Sequence, residues 1–333
     1  MGERHRNGAW SAARGAALAV VVALGSAALS GCSKSDEPKK AEDAGGEVAR
    51  RVMVASYPTQ YFAERIAGGL VPVENPVPGD ADPATWEPPA EAISAYQSSA
   101  LVVLNGAGFE EWAERAPLPR SRVIESASAF SDEWIEIDEG VTHSHGTQGE
   151  HTHTGTDGHT WLDPINAIAQ SAEIAEAMSA AFPEHAGAFA ENQAALARDL
   201  RALDASLREV SEQLEGWGLV ANHPAYNYLA RRYGWEISNL DVSPEHDDPG
   251  QVAATAAVYL VADGGEVARA IMLWESEPTE AIQAELRKPS WNIEPVVFSP
   301  TETKPEQGDY LDAMRANVER LRAVVGPGAG GGD

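Results

Sequence analysis

The residues of this chain that are best suited to chemistry are histidines, and five of the nine lie between positions 143 and 159. This segment reads HSHGTQGEHTHTGTDGH and contains no aliphatic residue, so its composition predicts a mobile loop rather than part of a core. Neutral imidazole is a ligand for zinc, copper, nickel and iron. A solvated low-complexity insert is the alternative interpretation, but this density of histidines in a chain otherwise poor in them favours metal binding.

The last of these histidines, unlike the other four, stands directly before a helix signal. His159 begins the sequence HTWLDP, in which Asp163 is a suitable N-cap and Pro164 suits the first turn of a helix. His159 is therefore expected at the edge of a structured element, as a direct ligand of a metal ion. An auxiliary set of lower affinity is predicted on the mobile loop: His143, His145, His151 and His153.

Charge and cysteine content exclude several classes of function. The 333 residues carry a formal net charge of −27, which argues against nucleic-acid binding because that requires a basic surface, and which suits a cationic ligand. Cys32 is the single cysteine, so there is no internal disulfide and no cysteine-based zinc cluster. The sequence contains no H-E-x-x-H, G-x-S-x-G or Walker motif. We expect a binding protein rather than an enzyme, with a metallohydrolase as the enzymatic alternative.

The N-terminus predicts export and a lipid anchor. Residues 1–31 combine three arginines with an apolar stretch at 16–29, the pattern of a signal peptide. The sequence LSGC, which ends at Cys32, resembles a bacterial lipobox, after which the cysteine is lipidated; a signal peptide with a chance cysteine is the alternative. Residues 32–48 would be a flexible tether and 326–333 a disordered tail. The mature protein is thus expected outside the cytoplasm, in the periplasm or at the cell surface, anchored to a membrane.

Strands alternate with helices along most of the chain, which predicts an α/β fold of two Rossmann-like lobes with parallel sheets. The first lobe would span residues 49–182, including the histidine-rich loop at 141–158, and the second would span 215–325. One long rigid helix over 183–214 is predicted to join them. Its apolar positions repeat at intervals of 4-3-4-3-4, and such a seam must pack against other elements.

A second histidine stands at the end of a predicted strand. His223 comes directly after the apolar sequence LVAN. Ligands of open α/β sheets bind beyond the carboxyl ends of the strands. We therefore expect His159 and His223 to meet in a cleft between the two lobes and to share one metal ion.

Six short segments occur in order between residues 50 and 325. They are Ser56-Tyr-Pro, Asp82-Pro-Ala-Thr-Trp-Glu-Pro, Phe109-Glu-Glu-Trp, His159-Thr-Trp-Leu-Asp-Pro, Asn222-His-Pro-Ala-Tyr-Asn-Tyr with Arg232-Tyr-Gly, and Gly308-Asp-Tyr. Together they resemble the substrate-binding lipoproteins of zinc and manganese ABC transporters, and the lipobox and histidine-rich loop resemble the zinc branch. The resemblance implies two α/β lobes joined by a rigid helix. It also implies capture of Zn²⁺, or of a related divalent metal such as Mn²⁺, by a monomer that delivers it to an ABC permease.

The resemblance assigns metal ligands unevenly. His159 lies where the family has its second ligand, and His223 lies where it has its third. The family's first ligand, a histidine, is replaced by Ala84, and residues 299–302 contain no aspartate at the place of the fourth. Because Zn²⁺ takes four ligands in a tetrahedral arrangement, the resemblance implies a modified site.

Several groups could take the two remaining positions. We predict that Glu302 and Glu275 join the two histidines as metal ligands. The other candidates are Asp82, Glu87, Glu245, His246, Asp247, a loop histidine and a water molecule. Because the number of ligands strongly limits affinity, the functional alternative is an adhesin-like, storage or sensing lipoprotein with a degenerate metal site.

Overall fold

Two parallel sheets and the helices around them form the computed structural model, which describes residues 48–144, 150–261 and 269–326, with the backbone alone at 138–144 and 150–154. Several predictions fall outside the described residues: the signal peptide at 1–31, lipidated Cys32, the tether up to residue 47, His145, and the tail from residue 327. Within the described ranges, no helix combines the length and the apolar character needed to cross a membrane.

The N-terminal sheet has four parallel strands in the order β2-β1-β3-β4. The strands are β1 (Ala49–Val54), β2 (Val73–Glu74), β3 (Ser99–Leu104) and β4 (Val123–Glu125). The helices among them are α1 (Tyr57–Ala67), α2 (Ala90–Ser98) and α3 (Glu111–Arg115). Val52, Met53 and Val54 are all buried, because helices cover both faces of such a sheet and its strands are continuous apolar runs.

The histidine-rich segment forms a hairpin, so the prediction of a mobile loop over 141–158 is wrong for most of this stretch. β5 (Glu136–Ser144) pairs antiparallel with β6 (Glu150–Thr156), with His143 opposite His151. β-Branched residues occur in both strands, namely Ile137, Val141 and Thr142 in β5 and Thr152, Thr154 and Thr156 in β6, and such residues favour strands. The two-residue spacing of the His-x-His pairs is also the period of a strand.

Two long helices come after the hairpin. α4 (Pro164–Ala181) begins as predicted, with Asp163 Oδ1 accepting a hydrogen bond from Ile165 N at 2.8 Å. α5 (Ala186–Glu212) has 27 residues, which corresponds to a length of about 40 Å. A 3-10 turn at Pro183–His185 precedes it. The apolar seam of α5 is buried as its spacing predicts, at Leu196, Leu200, Leu203, Leu207 and Val210.

The C-terminal sheet repeats the arrangement of the first, with four parallel strands in the order β10-β9-β7-β8. The strands are β7 (Gly218–Ala221), β8 (Ile237–Asn239), β9 (Ala270–Trp274) and β10 (Ile293–Val297). The helices are α6 (Asn227–Tyr233), α7 (Pro249–Val261), α8 (Glu280–Leu286) and α9 (Tyr310–Val325).

One apolar core runs through both halves of this structure. It includes Val54 of β1, Leu203 of α5 and Leu273 of β9. The predicted α/β class, with two parallel sheets and a long helix between them in the chain, is confirmed. The described residues belong to one compact unit, and the predicted boundaries of the two lobes stay a prediction.

Candidate metal centre

His159 lies at the start of a 3-10 turn (Thr160–Leu162) that leads into α4, and it is only 3% exposed. Asp157 Oδ1 accepts hydrogen bonds from the backbone N and from Nδ1 of His159, each at 2.9 Å. The aromatic rings of Trp161 and Phe109 flank the imidazole, with centroids at 5.5 and 6.0 Å. These contacts hold the ring in one orientation, with Nε2 on the side away from Asp157.

Gly158 allows the His159 segment to approach the loop after β3. A Cβ atom at this position would lie 2.8 Å from Cδ2 of Phe109, too close for any side chain. Asn105 Nδ2 donates to Gly158 O at 2.9 Å. The carboxylate of Glu110 accepts from the backbone N atoms of Asn105 and Gly106. Burial raises the pKa of Glu110 to about 7, although these backbone N–H groups lower it. The β3 loop therefore helps to position His159.

His223 comes from the other sheet, immediately after Asn222 at the carboxyl end of β7, and is 1% exposed. Glu275 comes directly after β9 and places Oε2 3.5 Å from Nδ1 of His223. Asn222 Oδ1 accepts from Glu275 N at 3.1 Å and lies 3.4 Å from the same imidazole nitrogen. The imidazole centroids of His223 and His159 are 5.9 Å apart, with the rings inclined at 70°. The structure thus brings the two histidines of different sheets together.

Glu302 reaches the same point from the loop after β10. Its Oε1 lies 2.8 Å from Nε2 of His159. Thr301, just before it, has a φ of 60°, a strained value for a β-branched residue that recurs at functional sites. Two contacts with the N-terminal half hold this loop: Tyr57 N donates to Glu302 O at 3.3 Å, and Trp161 Nε1 donates to Pro300 O at 2.7 Å.

Three side chains therefore converge on one point. The potential ligand atoms of His159, His223 and Glu302 all lie within 4.8 Å of one another. The histidines are buried, and the side chain of Glu302 is 11% exposed. Two imidazole nitrogens and a carboxylate oxygen suit Zn²⁺, which in open sites has three protein ligands and a fourth, exchangeable one.

His159 is held between two carboxylates, one on each ring nitrogen. Burial lowers the pKa of His159, but the hydrogen bonds and negative charges of Asp157 and Glu302 outweigh burial and raise the pKa to about 10. At neutral pH, Nε2 therefore carries a proton that lies between His159 and Glu302. A metal ion must displace this proton in order to bind at Nε2.

A cavity of about 300 Å³ lies against Glu302 and Glu275. Asp80 and Asp82 also belong to its lining, together with residues 299–303. Four carboxylates around one opening produce a negative potential, and such a potential raises the local concentration of cations. The cavity is therefore suited to admit a cation to the converging ligands.

The structure groups three of the four predicted ligands and separates the fourth. Glu275 contacts Nδ1 of His223 and is not part of the group formed by His159, His223 and Glu302. Of the predicted auxiliary histidines, three lie in the hairpin, where the structure describes the backbone alone: His143, His151 and His153.

The alternative ligands have other contacts. Asp82 accepts from Ala84 N at 2.8 Å and from Thr85 Oγ1 at 3.1 Å, within its own turn. The Glu87 side chain is 85% exposed and lies 3.9 Å from Arg115. The remaining three are exposed on the loop after β8: Glu245, His246 and Asp247.

Sequence reasoning missed one residue of this centre, Asp157. Its carboxylate is 1% exposed and contacts His159 directly. The available signal was an acidic residue two positions before a predicted ligand. Its second partner, Asn227 of α6, lies 70 residues further along the chain, and no sequence pattern predicts that contact.

Residues 52–324 match the family model described as zinc-uptake complex component A, periplasmic. The zinc-binding lipoprotein AdcA of Streptococcus pneumoniae serotype 4 is 26% identical over 286 residues, which cover 82% of this chain and 55% of AdcA. The chain thus spans about half the length of that relative. The high-affinity zinc uptake system protein ZnuA of Bacillus subtilis strain 168 is 23% identical over 304 residues, which cover 88% of this chain and 92% of that protein.

Solved structures share this fold. The Zn(II)-bound ZnuA-like domain of Streptococcus pneumoniae AdcA superposes with a TM-score of 0.69 at 23% sequence identity. The match covers 85% of this chain and 100% of that domain. At this level of identity the likeness establishes the two-lobed fold alone.

Proposed function

The chain belongs to the family of the periplasmic zinc-uptake complex component A, as its motifs predict, and on that premise we propose that it captures Zn²⁺ outside the cytoplasm and delivers it to an ABC permease. The names of the zinc-binding relatives AdcA and ZnuA support zinc as the cargo. A related divalent transition metal, such as Mn²⁺, would meet the same ligands. The proposed role is capture and delivery, without a catalytic step.

The observation that carries this proposal is the convergence of ligand atoms from three separate parts of the chain. His159 precedes α4, His223 lies after β7 and Glu302 lies after β10, yet their ligand atoms lie within 4.8 Å. Burying such polar groups costs free energy unless they are paired or bind a metal. We assign ligation to Nε2 of His159, because Nδ1 contacts Asp157, and to Nε2 of His223, because Nδ1 faces Glu275.

The fourth position would be taken by water or by Glu275. Glu275 contacts Nδ1 of His223 at 3.5 Å, which supports a role in orienting that imidazole. An orienting carboxylate and a metal ligand differ in the size of the effect on affinity, because removing an outer partner costs roughly 10–100-fold. The predicted ligand role of Glu275 can therefore be tested by substitution.

The remaining parts of the chain would support capture at the membrane. Lipidation at Cys32 would hold the protein on the outer side of a membrane, near the permease. The four histidines of the segment 143–153 would bind metal more weakly and raise its concentration near the cavity: His143, His145, His151 and His153. Zinc binding by these residues should add sites without changing the affinity of the cleft.

Isothermal zinc titration of the mature protein tests the proposal, with His159→Ala, His223→Ala and Glu302→Ala beside it. We expect one tight site in the unchanged protein and at least a ~100-fold loss in each variant, since loss of a ligand should exceed the effect of losing an outer partner. His246→Ala is the matched control, because His246 is exposed on a loop.

A second variant separates the hairpin from the cleft. It replaces His143, His145, His151 and His153 by asparagine and leaves the chain length unchanged, because deletion of the segment would also remove the residues that lead to His159. We expect fewer weak sites and an unchanged tight site. Loss of the tight site in this variant, with normal binding by His159→Ala and His223→Ala, would overturn the assignment of the cleft.

A further inference from the structure

One buried carboxylate joins the two halves of the candidate metal centre. Asp157 is 1% exposed, and its two oxygens have partners in different parts of the fold. Oδ1 accepts from N and Nδ1 of His159 at 2.9 Å. Oδ2 accepts from Nδ2 of Asn227 at 3.0 Å. Asn227 begins α6, four residues after His223. The same side chain therefore contacts one predicted ligand and the segment that carries the other.

The backbone of Asp157 also contacts the start of α6. Tyr228 Oη donates to Asp157 O at 3.0 Å and accepts from Ile135 N at 3.2 Å. Asp157 N in turn donates to Ile135 O at 2.8 Å. The next residue along α6 thus fixes the main chain at Asp157, and Asn227 fixes its carboxylate.

The orientation of the Asn227 amide is determined by a third residue. Asn239 Nδ2 donates to Oδ1 of Asn227 at 2.9 Å. Because the amide oxygen of Asn227 is the acceptor there, its Nδ2 must face Asp157. The hydrogen bonds from Asn239 through Asn227 and the hydrogen bond from His159 therefore all lead to Asp157, whose carboxylate accepts from both sides.

This arrangement determines which imidazole nitrogen is available to a metal. An ionised carboxylate only accepts hydrogen bonds, whereas a neutral imidazole has one N–H group and one lone pair. In the neutral imidazole that would bind a metal, Asp157 would keep the N–H group on Nδ1 and so leave the lone pair on Nε2, the nitrogen nearest Glu302. Partners of this kind fix the tautomer and ring orientation of metal-binding histidines.

We propose that Asp157 is a positioning residue of the metal centre, which sets the tautomer of His159 and, through Asn227, the placement of His159 relative to His223. The proposal rests on the proposed function, since it concerns the same site. Asp157→Asn should weaken zinc binding about 10- to 100-fold, because an asparagine cannot accept from both His159 Nδ1 and Asn227 Nδ2 with its two terminal atoms.

Asn227→Ala tests the second half of the proposal. It removes the amide that binds Oδ2 and leaves the contact between Asp157 and His159 in place. We expect a smaller loss of zinc affinity, about 3- to 10-fold. The imidazole of His159 keeps its contact with Asp157, but its position relative to His223 is no longer fixed through Asn227. If Asp157→Asn does not fold, the zinc affinity of Asn227→Ala still tests the proposal. Wild-type affinity in Asn227→Ala would overturn the coupling between the two halves.

Asp204→Asn is the matched control for a purely structural effect. Asp204 joins α5 to α6 by accepting from Arg232 Nε at 2.6 Å and from Tyr233 Oη at 2.8 Å. Asp204 is a partly buried carboxylate that likewise joins two elements, and its hydrogen bonds go to α6 rather than to an imidazole. We expect Asp204→Asn to lower the thermal midpoint and to leave zinc affinity unchanged.

The decisive readout is the imidazole of His159 in the zinc-loaded protein, observed by long-range ¹H–¹⁵N NMR. The unchanged protein and Asp204→Asn should show an Nδ1 proton that exchanges slowly with solvent, whereas Asp157→Asn should show a rapidly exchanging one. If Asp157→Asn bound zinc with wild-type affinity and its His159 Nδ1 proton exchanged slowly, the role of Asp157 would be overturned. The proposed zinc-binding function would be unaffected by that result. If His159→Ala also binds like the unchanged protein, the proposed function fails instead.

Discussion

The two histidines of the metal centre are held in different ways. His159 has carboxylate oxygens at 2.9 Å from Nδ1 and 2.8 Å from Nε2. His223 has an amide oxygen and a carboxylate oxygen at 3.4 and 3.5 Å from Nδ1. Protein N–H···O hydrogen bonds most often have a length of about 2.9 Å. His159 therefore has a short carboxylate contact on each ring nitrogen, whereas the contacts at Nδ1 of His223 are longer.

This difference suggests a division of roles within one site. The imidazole of His159 is a fixed point, because Asp157, Trp161 and Phe109 determine its position. It also carries the proton that a metal ion must displace. Changes around His159 should thus have larger effects than equivalent changes around His223.

The largest expected difference is between the two glutamates beside the imidazoles. Glu302→Gln should weaken zinc binding at least ~100-fold, because it removes the charge of a ligand, and Glu275→Gln about 10-fold, because it weakens the orientation of His223. Isothermal titration at constant pH measures both. Glu306→Gln, an exposed glutamate on the same loop as Glu302, is the control and should bind like the unchanged protein. Equal losses in Glu302→Gln and Glu275→Gln would make Glu275 a ligand and remove the asymmetry.

The pH dependence of zinc binding tests the role of His159 more finely. The hydrogen bonds from Asp157 and Glu302 raise the pKa of His159 to about 10 despite burial, so zinc displaces one proton from it throughout the neutral range. Affinity should rise about tenfold per pH unit, or about 100-fold between pH 6 and pH 8. Competition with a chelating dye measures this slope, and titration in two buffers of different ionisation enthalpy counts the released protons. Affinity that is independent of pH would contradict a protonated His159.

Much of this arrangement could be predicted from sequence, and the part that could not has a physical reason. The leucine seam of α5 and the N-cap of α4 are local patterns, so their positions can be inferred from spacing. His159 and His223 could be predicted as ligands because His159 directly precedes a helix signal and His223 directly follows a predicted strand. The hairpin was not predicted because the segment is rich in polar residues, and its strand-forming residues are mostly threonines, which are polar themselves.

The partners of the imidazoles depend on contacts between distant segments. Asp157 meets Asn227 across 70 positions of the chain. Glu302 contacts Nε2 of His159 from a loop in which Thr301 has a positive φ of 60°, and threonine at that position does not predict this conformation. Glu275 lies against Nδ1 of His223 because Asn222 accepts from its backbone N. Such placements arise from side-chain packing, which has no short-range sequence pattern.

The smallest expected effect concerns the metal-free protein, whose thermal stability should fall as pH rises. The pKa of His159 is about 10 in the fold, above its ordinary value of 6.5, so the stabilisation that it contributes is fully present below pH 6.5 and is lost as pH rises toward 10. The loss is at most about 1.4 kcal/mol per pH unit, or about 3–5 °C in Tm. Calorimetry at pH 7, 8 and 9 with a chelator present measures it.

Two variants connect this last effect to the comparison between the histidines. His159→Gln should remove most of the pH slope, because glutamine does not titrate, whereas His223→Gln should keep it. The same slope in all three proteins would show that other groups determine it and that His159 is not the protonated ring. For the unchanged protein, rising pH should therefore have opposite consequences: it weakens the metal-free fold and strengthens zinc binding. Both effects arise from one proton between His159 and Glu302, which stabilises the fold until a metal ion replaces it.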